Sequence, residues 1–200
     1  ALVPRMETEQ MVGQILDRFN DSFDGHVVDL GTGTGAILLS LCNAFKHSIG
    51  TGFDKSQNAI ELARENLRGK ICENRVCFEL MDWNDLTPKT LGDSIHLVVS
   101  NPPYLTEHEW SDSMPEVWEH DPKSALVAEE NGLADIFKVI EVSSILLVRG
   151  GLFVMEIGKG QAKKIEDQVK LFYSRFEFSK DLHGVRRFLW ASKDSKFPWD

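Results

Sequence analysis

Apolar residues along this chain fall in short runs that alternate with stretches of helical spacing. That order predicts a parallel sheet covered on both faces. His26 to Leu30 is a short apolar strand ending at Gly31, and Ala36 to Phe45 follows with Ile37, Leu38, Leu41 and Phe45 on one helical face. Ile49 to Phe53 is the second strand, closed by Asp54. Ser56 then caps a helix running to about Arg68 that carries Ile60, Leu62, Ala63 and Leu67. Val76 to Met81 and Ile95 to Ser100 are the third and fourth strands. A polar stretch from Leu105 to Asn131 is too long for a plain connection and reads as a functional insertion. Ala134 to Val148 is expected to be a helix stopped by Gly150-Gly151, followed by a fifth strand from Leu152 to Ile157. Gln161 to Phe172 turns Ile165, Val169 and Phe172 inward, and Phe176 to Phe178 pairs with Arg187 to Ala191 as a closing antiparallel hairpin.

The first strand-to-helix junction reads Asp29-Leu30-Gly31-Thr32-Gly33-Thr34-Gly35. Glycines let the backbone turn tightly and let a ligand approach it closely. The spacing Gly31-x-Gly33-x-x-Ala36 also fits a loose dinucleotide fingerprint, so the loop alone suits a nicotinamide dinucleotide, another adenosine-containing cofactor or a simple turn. Asp54, ending the second strand, is placed to accept ribose hydroxyl hydrogens. Asp82-Trp83 ends the third strand, where a carboxylate can take an adenine amino hydrogen and an indole can cover the ring; the plainer reading of Trp83 is a half-buried core aromatic.

The fourth strand delivers Asn101-Pro102-Pro103-Tyr104 at its carboxyl end, where ligands bind in open α/β sheets. An amide or aromatic amine nitrogen is a poor nucleophile because its lone pair is delocalised. Its two hydrogens can be held by the Asn101 side-chain oxygen and the Pro102 carbonyl. The prolines restrict the backbone and carry no competing N–H, and Tyr104 offers a flat face for stacking. This pattern suits attack of a positioned planar nitrogen on a sulfonium methyl, with orientation and electrostatics supplying the catalysis.

Two hundred residues suit one α/β domain with a real core. A formal net charge of −9 weighs against a protein built to grip a nucleic-acid backbone and towards a protein or small-molecule substrate. No apolar run approaches the ~20 residues of a membrane span; Val139 to Val148 is broken by Glu141, Ser143 and Ser144. Cys42, Cys72 and Cys77 form no CxxC pair, so no metal site is expected and the thiols are read as buried or reduced.

With these motifs in place, the chain resembles the HemK/PrmC family, which methylates the glutamine of the Gly-Gly-Gln motif of peptide-chain release factors. Leu2-Val3-Pro4-Arg5-Met6-Glu7-Thr8-Glu9 is similar to the family's opening block, departing at Met6 where a proline is usual. Gly31 to Gly35 and Asn101 to Tyr104 match its cofactor and substrate motifs. Pro115-Glu116-Val117, Asp121-Pro122-Lys123-Ser124-Ala125-Leu126 and Asn131-Gly132-Leu133 resemble its next blocks, with Ala128-Glu129 where the family usually has Gly-Gly. Lys180-Asp181-Leu182-His183-Gly184 and Arg186-Arg187-Phe188 resemble its closing block.

The resemblance implies a class I methyltransferase: a Rossmann-like, mostly parallel seven-stranded sheet with helices on both faces. It implies S-adenosyl-L-methionine as cofactor and S-adenosyl-L-homocysteine as product. The cofactor would be held by Asp29, Gly31, Thr32, Gly33, Thr34, Gly35, Asp54, Asp82, Trp83 and Asn101. Asn101, Pro102, Pro103 and Tyr104 would bind the substrate, with Asn101, Pro102 and Tyr104 serving the chemistry. Residues 1–200 would be the catalytic domain, with the family's N-terminal release-factor-docking domain absent. The implied partner is a release factor, with no membrane and no direct nucleic-acid contact, and the implied state is a monomer in a bacterial cytoplasm or mitochondrial matrix. Adenine-N6 methyltransferases of DNA or RNA share the Asn-Pro-Pro-Tyr motif and form the alternative. A non-catalytic partner subunit is less consistent with intact motifs, and a nicotinamide oxidoreductase lacks a residue suited to hydride chemistry.

Overall fold

The computed structural model describes residues 5–19, 23–91, 94–111, 123 and 126–199. Seven strands form one sheet: β1 (His26–Leu30), β2 (Ile49–Asp54), β3 (Val76–Leu80), β4 (Ile95–Ser100), β5 (Leu147–Glu156), β6 (Arg175–Lys180) and β7 (Arg186–Ser192). Their spatial order is β3-β2-β1-β4-β5-β7-β6, parallel from β3 to β5, with β7 antiparallel to both β5 and β6. The helices are α1 (Met6–Arg18), α2 (Ala36–Ala44), α3 (Gln57–Leu67), α4 (Pro88–Leu91), α5 (Glu107–Ser111), α6 (Glu129–Gly132), α7 (Ala134–Leu146) and α8 (Ala162–Phe172). The expected mostly parallel sheet and the closing hairpin are both present. Among the described residues no helix is long and apolar enough to cross a membrane.

Consecutive strand residues point to opposite faces, and both faces here are buried. Val27, Leu97, Val99, Leu152, Val154 and Trp190 join the core under α1, α2 and α3, whereas Val28, Val98, Phe153, Met155 and Leu189 join the core under α7 and α8. This double burial explains why the central strands read as continuous apolar runs rather than alternating ones. Ser56 caps α3 as expected, its hydroxyl accepting from the Ala59 N–H at 3.4 Å.

Helix α1, which the sequence pattern leaves unassigned, buries Met11 and Ile15 in the first core. It is tied to the closing hairpin: the Leu182 N–H donates to Gln10 Oε1, and Gln14 Nε2 donates to the Lys180 carbonyl. The Arg18 guanidinium lies 3.9 Å from the Trp190 ring centroid and pairs with Glu177 at 2.6 Å.

One expectation fails. Helix α7 ends at Leu146 and β5 starts directly at Leu147, so Gly150-Gly151 do not stop the helix. Ile95 of β4 pairs with Leu147 and Leu97 with Leu152, so the residues between bulge out of register and Gly150 takes φ 78°. Strand pairing captures the chain before a glycine cap can form.

Of the family-like blocks, Leu2 to Pro4, Pro115 to Val117, Asp121, Pro122, Ser124 and Ala125 lie outside the described residues. The block at Lys180 to Phe188 builds the hairpin turn. There Asp181 Oδ1 accepts from the backbone of His183 and Val185, and its Oδ2 accepts from Arg187.

Candidate active site

The order of strands reverses between β1 and β4, and Leu30 sits opposite Ser100. The glycine loop and Asn101 therefore leave neighbouring strands at the same level, in the crevice where ligands bind in such sheets. The Ser100 hydroxyl donates to the Leu30 carbonyl at 2.6 Å, clamping the two strand ends together.

Gly31, Gly33 and Gly35 all take positive φ, which side chains resist. A Cβ on Gly31 would lie 3.0 Å from the Trp83 ring, so the indole packs directly on the loop. The N–H groups of Gly31 and Thr32 both donate to the Phe53 carbonyl at 2.9 Å, and the Thr34 carbonyl accepts from Asn66 on α3. Asp54 Oδ2 accepts from the Gly33 N–H and its Oδ1 from the Ser56 N–H, each at 2.9 Å. A carboxylate has about four acceptor positions, so Asp54 retains capacity for two hydroxyl donors while also fixing the loop.

Asp29 is fully buried. Its Oδ2 accepts from the Thr32 hydroxyl at 2.7 Å, and its Oδ1 makes no hydrogen bond of good geometry. Burial pushes its carboxyl up to about 7, against the Thr32 hydroxyl and with help from the nearby Asp54 charge, the Leu38 N–H opposing it more weakly. The folded protein thus favours protonated Asp29, a stability contribution complete below the unfolded value near 3.8 and lost as pH rises through about 7. Asp29→Asn is expected to stabilise the cofactor-free protein increasingly between pH 5 and 8, by roughly 1–3 kcal/mol at the upper end. Urea unfolding at several pH values checks this; a gap that shrinks with rising pH contradicts it.

Asp82 caps the short turn Trp83–Asp85, its Oδ1 accepting from Asn84 N and Nδ2 at 2.8 and 2.7 Å. The Lys55 ammonium stands 6.0 Å from the Trp83 ring centroid. Asp135, at the start of α7, belongs to the same neighbourhood: burial pushes its carboxyl up, Lys55 opposes this, and Asp82 and Glu129 add to it. Neither Lys55 nor Asp135 stands out in the sequence.

Beyond β4, Asn101 Nδ2 donates to Thr8 Oγ1 at 3.1 Å, and the Thr8 hydroxyl donates to Glu156 Oε2 at 2.8 Å. The Tyr104 hydroxyl donates to Glu156 Oε1 at 3.1 Å, so the phenol is anchored at its tip. Burial pushes the Tyr104 hydroxyl and the Glu156 carboxyl up from their ordinary values. Pro102 is buried, and Pro103 is half-buried. The Tyr104 carbonyl accepts from Gln161 Nε2, which also donates to the Gly132 carbonyl, while Gln161 Oε1 accepts from the Gly158 N–H. Gly132 has φ 79°, and a Cβ there would lie 2.3 Å from the Tyr104 carbonyl oxygen. The Asn131-Gly132-Leu133 block is thereby explained as a close backbone approach that supports the Asn101–Tyr104 loop.

The structure therefore gathers Asp29, the glycine loop, Asp54, Asp82, Trp83 and Asn101 to Tyr104 along the carboxyl ends of β1 to β4. Thr8, Asn66, Glu156 and Gln161 join them without having been singled out for these contacts. The only sequence signal for Glu156 is a lone charge inside an apolar strand.

Residues 11–128 match the family described as Methyltransferase small domain. The release factor glutamine methyltransferase of Bacillus cereus is 34% identical over 198 residues, covering 96% of this chain and 69% of the relative. The enzyme of the same name from Vibrio cholerae is 41% identical over 187 residues, covering 93% of this chain and 64% of the relative. The chain belongs to the release factor glutamine methyltransferase family. It spans about two thirds of the length of these curated relatives. Among solved structures, a predicted O-methyltransferase of Agrobacterium tumefaciens aligns with a TM-score of 0.65 at 19% identity, covering 95% of this chain and 82% of that one. An RNA methyltransferase from Salinibacter ruber, in complex with S-adenosyl-L-homocysteine, aligns with a TM-score of 0.57 at 15% identity, covering 100% of this chain and 98% of that one. These two likenesses establish the fold.

The residues of this family member fit an adenosyl group bearing a charged amino-acid tail. Asp54 can accept from a diol, and Trp83 presents a flat ring. A Cβ on Gly33 would meet nothing within 4 Å, so the loop backbone borders open space. Asp29 Oδ1 makes no hydrogen bond of good geometry and lies near the Asp54 carboxylate, so a cation placed there would favour the ionised form that burial disfavours.

Proposed function

We propose that this chain transfers a methyl group from S-adenosylmethionine to the side-chain amide nitrogen of the glutamine in the Gly-Gly-Gln motif of a peptide-chain release factor. The observation that carries the reading is the adjacency of the Asn101–Tyr104 loop to the glycine loop, at the point where β1 and β4 part. S-adenosylmethionine, when bound, supplies an electrophilic methyl on a sulfonium.

The chain's own part is positional. Asp54 receives the ribose hydroxyls, and Asp82 with Trp83 receives the adenine. Asp29 and Asp54 make the loop favourable for positive charge. Asn101 Oδ1 and the Pro102 carbonyl each accept one hydrogen of the glutamine amide, drawing electron density on to its nitrogen and turning its face towards the methyl. Tyr104, anchored through Glu156, offers a ring for the planar amide. Fixed acceptors of this kind need no reorganisation at the moment of reaction. The proton released from the nitrogen leaves to solvent. A release-factor substrate places the enzyme where peptide release occurs, a bacterial cytoplasm or a mitochondrial matrix.

The test is labelled methyl transfer by the chain to a release factor, run beside adenine-containing DNA and RNA. Label in the release factor alone is expected. Label in nucleic acid, with none in any release factor, overturns the reading.

A further inference from the structure

Two hydrogen bonds beside Asn101 form a directed chain through three residues. Thr8 comes from α1, Asn101 from the end of β4 and Glu156 from the end of β5, so residues far apart in sequence meet at one point. Thr8 is 4% exposed and Glu156 is 1% exposed. Glu156 follows Val154 and Met155 and precedes Ile157, all fully buried. A carboxyl group in such surroundings is costly unless its hydrogen bonds are made. Here both oxygens are engaged, Oε2 by the Thr8 hydroxyl and Oε1 by the Tyr104 hydroxyl.

The direction of these bonds matters more than their number. The Glu156 Oε2 atom accepts the Thr8 hydroxyl hydrogen, and a threonine hydroxyl has only that one hydrogen to give. With that hydrogen committed to Glu156, Thr8 can only accept from Asn101. The Asn101 atom facing Thr8 must then be Nδ2, and Oδ1 must face the other way. A side-chain amide has no intrinsic preference between its two ends, so without this chain Asn101 could present either a donor or an acceptor to the substrate. A donor there would meet the N–H of the substrate amide and repel it.

We infer that Thr8 and Glu156 are positioning residues that fix the orientation of the Asn101 amide, so that its oxygen faces the nitrogen to be methylated. The inference rests on the reading that Asn101 Oδ1 receives the substrate. Neither residue touches the glycine loop in any of the contacts described above, so the larger effect is expected on the methyl-transfer step. Glu156 serves Tyr104 at the same time, which couples the amide and the ring to one buried acceptor.

The experiment compares Thr8→Val, Thr8→Ser and Glu156→Gln, together with the double variant Thr8→Val/Asn101→Ala, with cofactor affinity measured by calorimetry beside kcat. Thr8→Val removes the hydroxyl at nearly constant shape. Glu156→Gln introduces an amide that can donate to Thr8 and so reverse the chain. Both are expected to lower kcat by about 10- to 100-fold with cofactor affinity nearly unchanged, and Thr8→Ser to restore most of the activity. In the double variant the two losses must not multiply, because Thr8 acts only through Asn101. Wild-type kcat in Thr8→Val overturns the inference, as does full additivity of Thr8→Val and Asn101→Ala. If Glu156→Gln fails to fold, as judged by circular dichroism and thermal unfolding, the threonine cycle still decides. The cycle is run on whichever acceptor the wild-type protein methylates, so a wrong substrate assignment appears as label in nucleic acid, whereas a wrong relay appears as additivity.

Discussion

Asn101→Ala is expected to lower kcat for methyl transfer by about 10²–10³-fold, the range seen when one fixed polar partner of a reacting group is removed. The substitution takes away the Oδ1 acceptor and leaves Thr8 Oγ1 without its Nδ2 donor. The Pro102 carbonyl remains, so the amide nitrogen keeps one of its two anchors and rotates about it. Rate is then lost through orientation, because a nitrogen free to turn spends little time with its face towards the methyl. Single-turnover kinetics at saturating cofactor measures the step directly. A loss confined to KM would mean that Asn101 serves binding alone.

The second large effect concerns the cofactor. Asp54→Ala is expected to weaken S-adenosylmethionine binding by on the order of 100-fold or more, since two hydrogen bonds to a charged acceptor disappear. It also removes the acceptor of the Gly33 N–H and of the Ser56 N–H, so the loop loses an internal support. Asp54→Asn keeps one carbonyl oxygen and should fall between the wild type and alanine. Calorimetric titration reads both variants. Unchanged affinity in Asp54→Ala would remove Asp54 from the cofactor site and leave it a loop support only.

Much of the fold is legible in the sequence because the central strands are buried on both faces. Val27-Val28, Leu97-Val98-Val99 and Leu152 to Met155 leave no polar interruption that would blur a strand. The glycine loop and Asn101-Pro102-Pro103-Tyr104 are equally visible, since backbone demands select those residue types. Helix α1 was not, because its place is set by contacts with residues far along the chain: Gln10 with Leu182, Gln14 with Lys180 and Arg18 with Glu177. The expected stop at Gly150-Gly151 fails for a related reason, as the pairing of Ile95 with Leu147 ends the helix at Leu146, two residues before the expected Val148. Thr8 illustrates the limit most sharply. It stands in the block that resembles the family's opening with no chemistry legible in its type, and it becomes part of the site only when α1 brings it to Glu156.

The site follows the same division. Residues that meet a ligand directly are constrained in type and so can be read; residues that hold them are constrained by geometry and cannot. Gln161 is such a case, with its single side chain tying together Tyr104, Gly132 and Gly158 across three connections.

The central claim is that Asn101 and Pro102 present a glutamine amide nitrogen to the methyl group. The most direct measurement is the position of the methyl: a release factor is incubated with the chain and isotopically labelled S-adenosylmethionine, then fragmented and sequenced by mass spectrometry. The label is expected on the side chain of the Gly-Gly-Gln glutamine, and it should vanish with Asn101→Ala. Label on any other residue, or undiminished label in the variant, would contradict the account.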